Sequence, residues 1–277
     1  YSPDGGVDLR FLGDLDRGLN NTHPSNLDPI ITNAFYTINV AHDVLFQYGF
    51  DEFAGNFQAT NYTGASGAGD HFLVHVQDPL EQGNTGCGFY TPVVDGQSPF
   101  MCLGYVNSGS TVDLPIGRDL GLANDVILHE YAHGLYSRLV GGPYFIGNYL
   151  PDSQTGSMHE GTADFVGMWF TMKETQRPSD GVEIGAWLGN AVGFTHGRED
   201  AGIRRVPYSY DMSLNPMTFD QWNSEDSPYL PAGVQIPNSE VHNGGEIWGS
   251  VLYDLLWELI SKYGGSTGAE NFDPSFM

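Results

Sequence analysis

Two histidines four residues apart, His129 and His133, restrict the fold of this chain more than any other feature. They lie in Asn124-Asp125-Val126-Ile127-Leu128-His129-Glu130-Tyr131-Ala132-His133-Gly134-Leu135. On an α-helix this spacing puts both imidazoles on one face, a turn apart, where one cation can bridge them. The uncharged residues before His129 predict a buried helix whose polar face opens only at the histidines. Asn124 or Asp125 is placed to cap it.

Two neutral imidazoles leave a tetrahedral metal site short of a protein ligand, so a third donor must come from another element, with one position left for water. The segment Met158-His159-Glu160-Gly161-Thr162-Ala163-Asp164-Phe165 supplies Glu160. Asp164 lies one turn further on the same face, where it can accept the other N–H of a ligating histidine, fixing its tautomer and raising its basicity. His159 competes as the third ligand, but a helix turns it about 100° away from Glu160. Glu130 leaves its helix in a different direction from His129 and is placed as a general base at the water position. One catalytic zinc is therefore expected: it lowers the pKa of its water towards ~7, and Glu130 moves the proton from that water to a leaving amine. His23, His42, His71, His75 and His196 have no partner at ligand spacing and read as surface or structural residues.

Around this helix the pattern is α+β. Residues 33 to 48 predict a helix with Phe35, Ile38, Leu45 and Phe46 near one face and Gly49 as its stop. From 54 to 106 glycine-rich turns surround strand candidates at 71 to 77 and 100 to 106. The helical period returns at 124 to 139, 158 to 173 and 245 to 262. The expected organisation is an N-terminal α/β lobe, residues 1 to 139, and a mainly helical C-terminal lobe, residues 140 to 277, with the histidine helix at the junction.

Charge narrows the partners. With 10 basic and 34 acidic residues the formal charge is −24, which repels nucleic acid and anionic membrane surfaces. No apolar run reaches the roughly 18 to 20 residues that span a bilayer, and the start at Tyr1-Ser2-Pro3-Asp4 reads as that of a processed fragment. The acidity offers oxygens for Ca2+, but no EF-hand loop places that ion. Sequons at Asn20 and Asn61 point to glycosylation. Cys87 and Cys102 flank a turn-rich stretch, so a hairpin could join them as a disulfide, the alternative being two buried free thiols. Both features suit a secreted chain.

A longer series of blocks then comes into view. It includes Asn33-Ala34-Phe35-Tyr36, Ala41-His42-Asp43, Ala54-Gly55-Asn56-Phe57-Gln58, Thr91-Pro92 with Asp95-Gly96-Gln97, and the histidine motif with Arg138-Leu139 and Gly141-Gly142-Pro143. It continues through Glu160-Gly161 with Asp164, Gly202-Ile203-Arg204, Pro207-Tyr208-Ser209, Val241-His242, and a segment holding Trp248, Leu252-Tyr253 and Leu256-Trp257. In content and order these blocks resemble the fungalysins, secreted fungal metalloproteases related in architecture to thermolysin.

The resemblance implies a two-lobed, thermolysin-like fold around a zinc cleft and a secreted endopeptidase acting on proteins or peptides. It also implies a pro-segment that inhibits the enzyme before activation. His242 matches the histidine beside the developing oxyanion, and Arg204 the arginine near the substrate carbonyl and ligand carboxylate, both suited to stabilising a tetrahedral intermediate. An edge strand near Gly86 to Phe89 would pair with extended substrate. Thr162 departs from the family's usual Trp, and Tyr149 is one of several candidates for the oxyanion tyrosine. The chain ends at Phe276-Met277 where fungalysins continue with further helices, which leaves three alternatives: a separate cleaved C-terminal fragment as partner, disorder, or absence of that part. Two other readings use the same residues: a zinc exopeptidase, and a silent zinc-containing binding module. Glu130 speaks against the second, since a structural site needs no base beside an open position.

Overall fold

The computed structural model describes residues 2–8, 10–11, 13–16, 23–77, 88–106, 118–145, 154–188, 202–223 and 240–264. Asn20, Cys87, Tyr149 and His196 lie outside them.

Helix α1 (Leu27–Gln47) begins before the predicted residue 33 and buries Ile30, Ala34, Thr37, Ile38, Ala41 and Leu45, a stripe spaced by threes and fours. Phe35 and Phe46, expected on that face, are instead 65% and 40% exposed. Each directly follows a buried residue and so points about 100° off the stripe. Gly49 ends the helix with φ +97°. Its N–H donates to the Phe46 carbonyl at 3.2 Å and the Phe50 N–H to the Leu45 carbonyl at 2.9 Å, a Schellman motif that returns Phe50 to the core.

Strands β1 (Leu73–Val76), β2 (Gly88–Thr91) and β3 (Phe100–Leu103) form a sheet in the order β1-β3-β2. β1 runs parallel to β3, with Leu73 opposite Phe100, and β2 antiparallel, with Phe89 opposite Cys102. Met101, Cys102 and Leu103 are buried in succession, as in a strand covered on both faces. The strand expected over 100 to 106 breaks at Gly104: β4 (Tyr105–Val106) pairs with β5 (Arg118–Asp119) in a separate two-stranded ladder. No free cysteine occurs among the described residues. The Asn61 side-chain nitrogen donates to the Ala65 and Ser66 carbonyls at 3.3 and 2.8 Å.

Helix α2 (Asn124–Leu139) occupies the predicted span, and every residue from Val126 to Gly134 is buried. Neither Asn124 nor Asp125 caps it, because Ala123 holds the cap position and both polar residues already lie in the first turn. Their oxygens tether the helix instead. Asn124 Oδ1 accepts from Asn33 Nδ2 on α1 at 2.8 Å, and Asp125 Oδ2 from the Gly185 N–H at 2.7 Å.

Helices α3 (Gln154–Phe170) and α4 (Val241–Tyr263) both start earlier than the predicted 158 and 245. They meet almost backbone to backbone. A Cβ on Gly161 would lie 2.3 Å from the Gly245 carbonyl oxygen and 2.7 Å from the Gly249 nitrogen, and a Cβ on Gly245 would lie 2.8 Å from Glu160 Cβ. Beside this crossing the Trp248 indole N–H donates to the Thr162 hydroxyl at 3.1 Å, so Thr162 links the two helices. Residues 182–188 and 202–208 run alongside one another, with Val182 and Tyr208 exchanging backbone hydrogen bonds of 2.8 Å.

One apolar cluster joins α1, the three-stranded sheet and α2 through Ile38, Leu45, Met101, Leu103, Ile127 and Tyr131. A second joins α3, α4 and the 182–208 segments through Met168, Ile184, Tyr208, Tyr253 and Trp257. Ala132 of α2 packs on Ala163 and Val166 of α3 between them. No described helix is long and apolar enough to cross a membrane.

Candidate metal centre

Helices α2, α3 and α4 converge at one buried point. His129 Nε2 lies 3.2 Å and His133 Nε2 3.6 Å from the same oxygen, Glu160 Oε2. Ligands at zinc–nitrogen and zinc–oxygen bond lengths stand roughly 3.3 to 3.5 Å apart at the corners of a tetrahedron. Both separations are those of donors to one small cation. Glu160 Oε2 is buried and makes no hydrogen bond, a costly condition for a carboxylate oxygen unless a cation shares the site. The residues therefore fit a metal held by two imidazoles and a carboxylate.

Ligand-type atoms gather in two groups, one of His129, Glu130 and His133 and one of His133, Glu160 and His159. The His159 Nδ1, however, is only 2.6 Å from His133 Nδ1, a hydrogen-bond distance that commits this nitrogen to the His133 ring. On the other histidine, His129 Nδ1 is 2.8 Å from Asp164 Oδ1. Asp164 also receives the Arg204 Nε–H and Nη2–H, both at 2.7 Å, and the Tyr208 hydroxyl at 2.6 Å. Arg204 is therefore buried on Asp164, one step behind the His129 ring, and not on the ligand carboxylate itself.

Glu130 points beside the ligands, and its Oε2 is a second buried oxygen without a hydrogen-bond partner. Loss of solvent pushes its carboxyl up to about 7, against the pull of the neighbouring His129. His242, at the first turn of α4, brings Nε2 to 3.6 Å from Glu160 Oε2 while its side chain stays half exposed. Glu240 holds it there: one oxygen meets His242 Nδ1 at 2.7 Å, and the other caps α4 by accepting the Asn243 N–H at 3.1 Å. Burial works to lower His242, but the Glu240 hydrogen bond and the Glu160 charge outweigh it and raise its pKa.

The two candidate ligand histidines differ electrostatically. Burial would lower His129, yet the Asp164 carboxylate on Nδ1 and the charge of Glu160 lift it to about 10. His133 has no carboxylate on Nδ1, and burial drives it well below its ordinary value. Asp164 stays ionised because Arg204 and His129 overcome the desolvation that would raise it.

Several contributors escape sequence reasoning. Arg205 is fully buried and donates to Glu246 through Nε at 2.6 Å and its backbone N–H at 2.9 Å. This pair fixes the Arg204 segment to α4. Tyr208 leaves no local trace of its role, whereas Glu240 has one: it stands two residues before His242 at a cap position. β2, an edge among the described strands, sets the Tyr90 ring 6.5 Å from the His133 ring.

Over 270 residues the chain is 37% identical to the extracellular metalloproteinase mep of Aspergillus flavus, covering 97% of this chain and 37% of that protein. It is 36% identical over 251 residues to extracellular metalloproteinase 2 of Trichophyton tonsurans, covering 90% of this chain and 34% of that one. The chain thus spans little more than a third of the length of these relatives. The family model described as Fungalysin metallopeptidase (M36) matches residues 2–275, and the chain belongs to that family.

Proposed function

We propose that the chain is the catalytic part of a secreted zinc endopeptidase, with His129, His133 and Glu160 holding the metal and Glu130 as general base. The observation that carries this reading is the pair of buried, unpartnered carboxylate oxygens, Glu160 Oε2 and Glu130 Oε2, beside the histidines of α2. Two nitrogen donors with one carboxylate favour zinc, which when bound polarises a carbonyl and acidifies water. The work of the protein residues follows from their positions. Glu130, with a carboxyl that exchanges protons near neutrality, takes a proton from the attacking water and returns it to the leaving amine. His242, oriented by Glu240, donates from Nε2 to the oxygen that gains charge. Arg204 and Tyr208 keep Asp164 ionised and aligned, and Asp164 holds the His129 ring.

The edge of β2 next to His133 supports pairing with an extended substrate. The two apolar clusters on either side of α2 support a two-lobed, thermolysin-like arrangement. The extracellular naming of the relatives supports secretion, and the lack of a free cysteine among the described residues supports a Cys87–Cys102 disulfide. Partners on this reading are protein or peptide substrates and, before activation, the enzyme's own pro-segment.

An internally quenched peptide blocked at both ends tests the assignment. Cleavage should vanish with a chelator and return with zinc, and Glu130→Gln should keep the metal while losing the cleavage. A zinc-loaded protein that leaves the blocked peptide intact would point to an exopeptidase or a silent module.

A further inference from the structure

We propose that His159 is a positioning residue for the second metal ligand: its ring holds His133 through Nδ1 and keeps His133 Nε2 turned towards Glu160. The two Nδ1 atoms are 2.6 Å apart. The rings are within 13° of parallel, with centroids 4.5 Å apart. On its far side His159 Nε2 is 3.3 Å from Ser137 Oγ, one helical turn beyond His133 on α2. The edge of the Tyr136 ring packs on the same imidazole, 4.6 Å between centroids.

The proton positions then form one consistent chain. His133 donates Nδ1–H to His159 Nδ1, and His159 donates Nε2–H to Ser137 Oγ. His133 is left with a lone pair on Nε2, the atom 3.6 Å from Glu160 Oε2. Each histidine of α2 is thereby fixed from a different residue of α3: His129 by the Asp164 carboxylate and His133 by an imidazole one residue before Glu160. A neutral acceptor sets the tautomer of His133 without adding a second negative charge behind the ligands. Helical geometry turns His159 away from the Glu160 face, and that same turn carries it outside His133, where this acceptor is required.

This inference rests on the ligand set proposed above. It is tested by measuring zinc affinity of the metal-free protein by competition with a chromophoric chelator, with the Co2+ absorption spectrum as a second readout. His159→Ala should weaken zinc binding by about 10- to 100-fold and shift the Co2+ bands. His159→Asn, whose amide oxygen can accept the same N–H, should recover most of the affinity. His159→Leu fills the buried space without an acceptor and replaces the alanine variant if that one does not fold. Unchanged affinity in His159→Ala or His159→Leu overturns the proposal, and so does a loss in His159→Asn as large as theirs. If the unmodified chain fails to take up one zinc, the ligand assignment falls instead, so the two failures are distinguishable.

Discussion

Replacing Gly161 by alanine should lower turnover far more than metal content. The new Cβ would stand 2.3 Å from the Gly245 carbonyl oxygen and 2.7 Å from the Gly249 nitrogen, whereas ordinary contacts begin at 3.4 Å. Both obstacles are backbone atoms, so no side chain can rotate aside, and α4 must withdraw from α3 by about 1 Å. Overpacking of this kind costs about 1 to 3 kcal/mol of stability. His129, His133 and Glu160 come from α2 and α3, which pack on each other through Ala132, Ala163 and Val166. His242, by contrast, rides on the first turn of α4 and depends on that crossing for its 3.6 Å approach to Glu160. A misplacement of ~1 Å in a positioned donor costs about 100-fold. Zinc stoichiometry, urea denaturation and kcat on a quenched peptide should therefore show full metal, a modest stability loss and a roughly 100-fold slower enzyme. The same substitution in a His242→Ala background should add little, since the donor is already gone. Native turnover in Gly161→Ala, or an equal loss in both backgrounds, would refute the reasoning.

Two further expectations concern stability. Burial pushes Asp119 up to about 7, although the Gly121 N–H donates to one of its oxygens. With the folded pKa above the unfolded one, its contribution is most favourable below about pH 4 and declines as pH rises towards 7, by on the order of 1.4 kcal/mol per pH unit. Asp119→Asn should flatten this decline in denaturation curves taken from pH 4 to 8, and an unchanged slope would contradict it. Arg138 is buried between Asp70 and Asp95, with Nη1 at 3.0 and 2.9 Å. Arg138→Leu leaves both carboxylates without their cation and should cost about 3 to 5 kcal/mol at pH 7. The deficit should shrink in acid as Asp70, which burial already pushes up, takes up a proton, so equal losses at pH 7 and in acid would count against the buried-charge account.

Sequence alone determined what depends on one helix at a time. The 3.6-residue period defines α2 over Asn124–Leu139 and places His129 with His133, and Glu160 with Asp164, on shared faces. It also marks Gly49 as a stop, because a positive φ is a local demand. Where several registers satisfy the same period, it is less discriminating: Phe35 and Phe46 lie one position off the buried stripe, and Asn124 and Asp125 stand just inside the helix they were expected to cap. Only the tertiary structure decided how the helices meet. The glycine crossing of α3 and α4 brings His242 to Glu160, and buried pairing sends the adjacent Arg204 and Arg205 to Asp164 and Glu246. The His133 ring finds its Nδ1 partner on another helix. These choices join residues tens of positions apart, and they are set by backbone clearance and by the cost of leaving a charge or an N–H unpaired away from water.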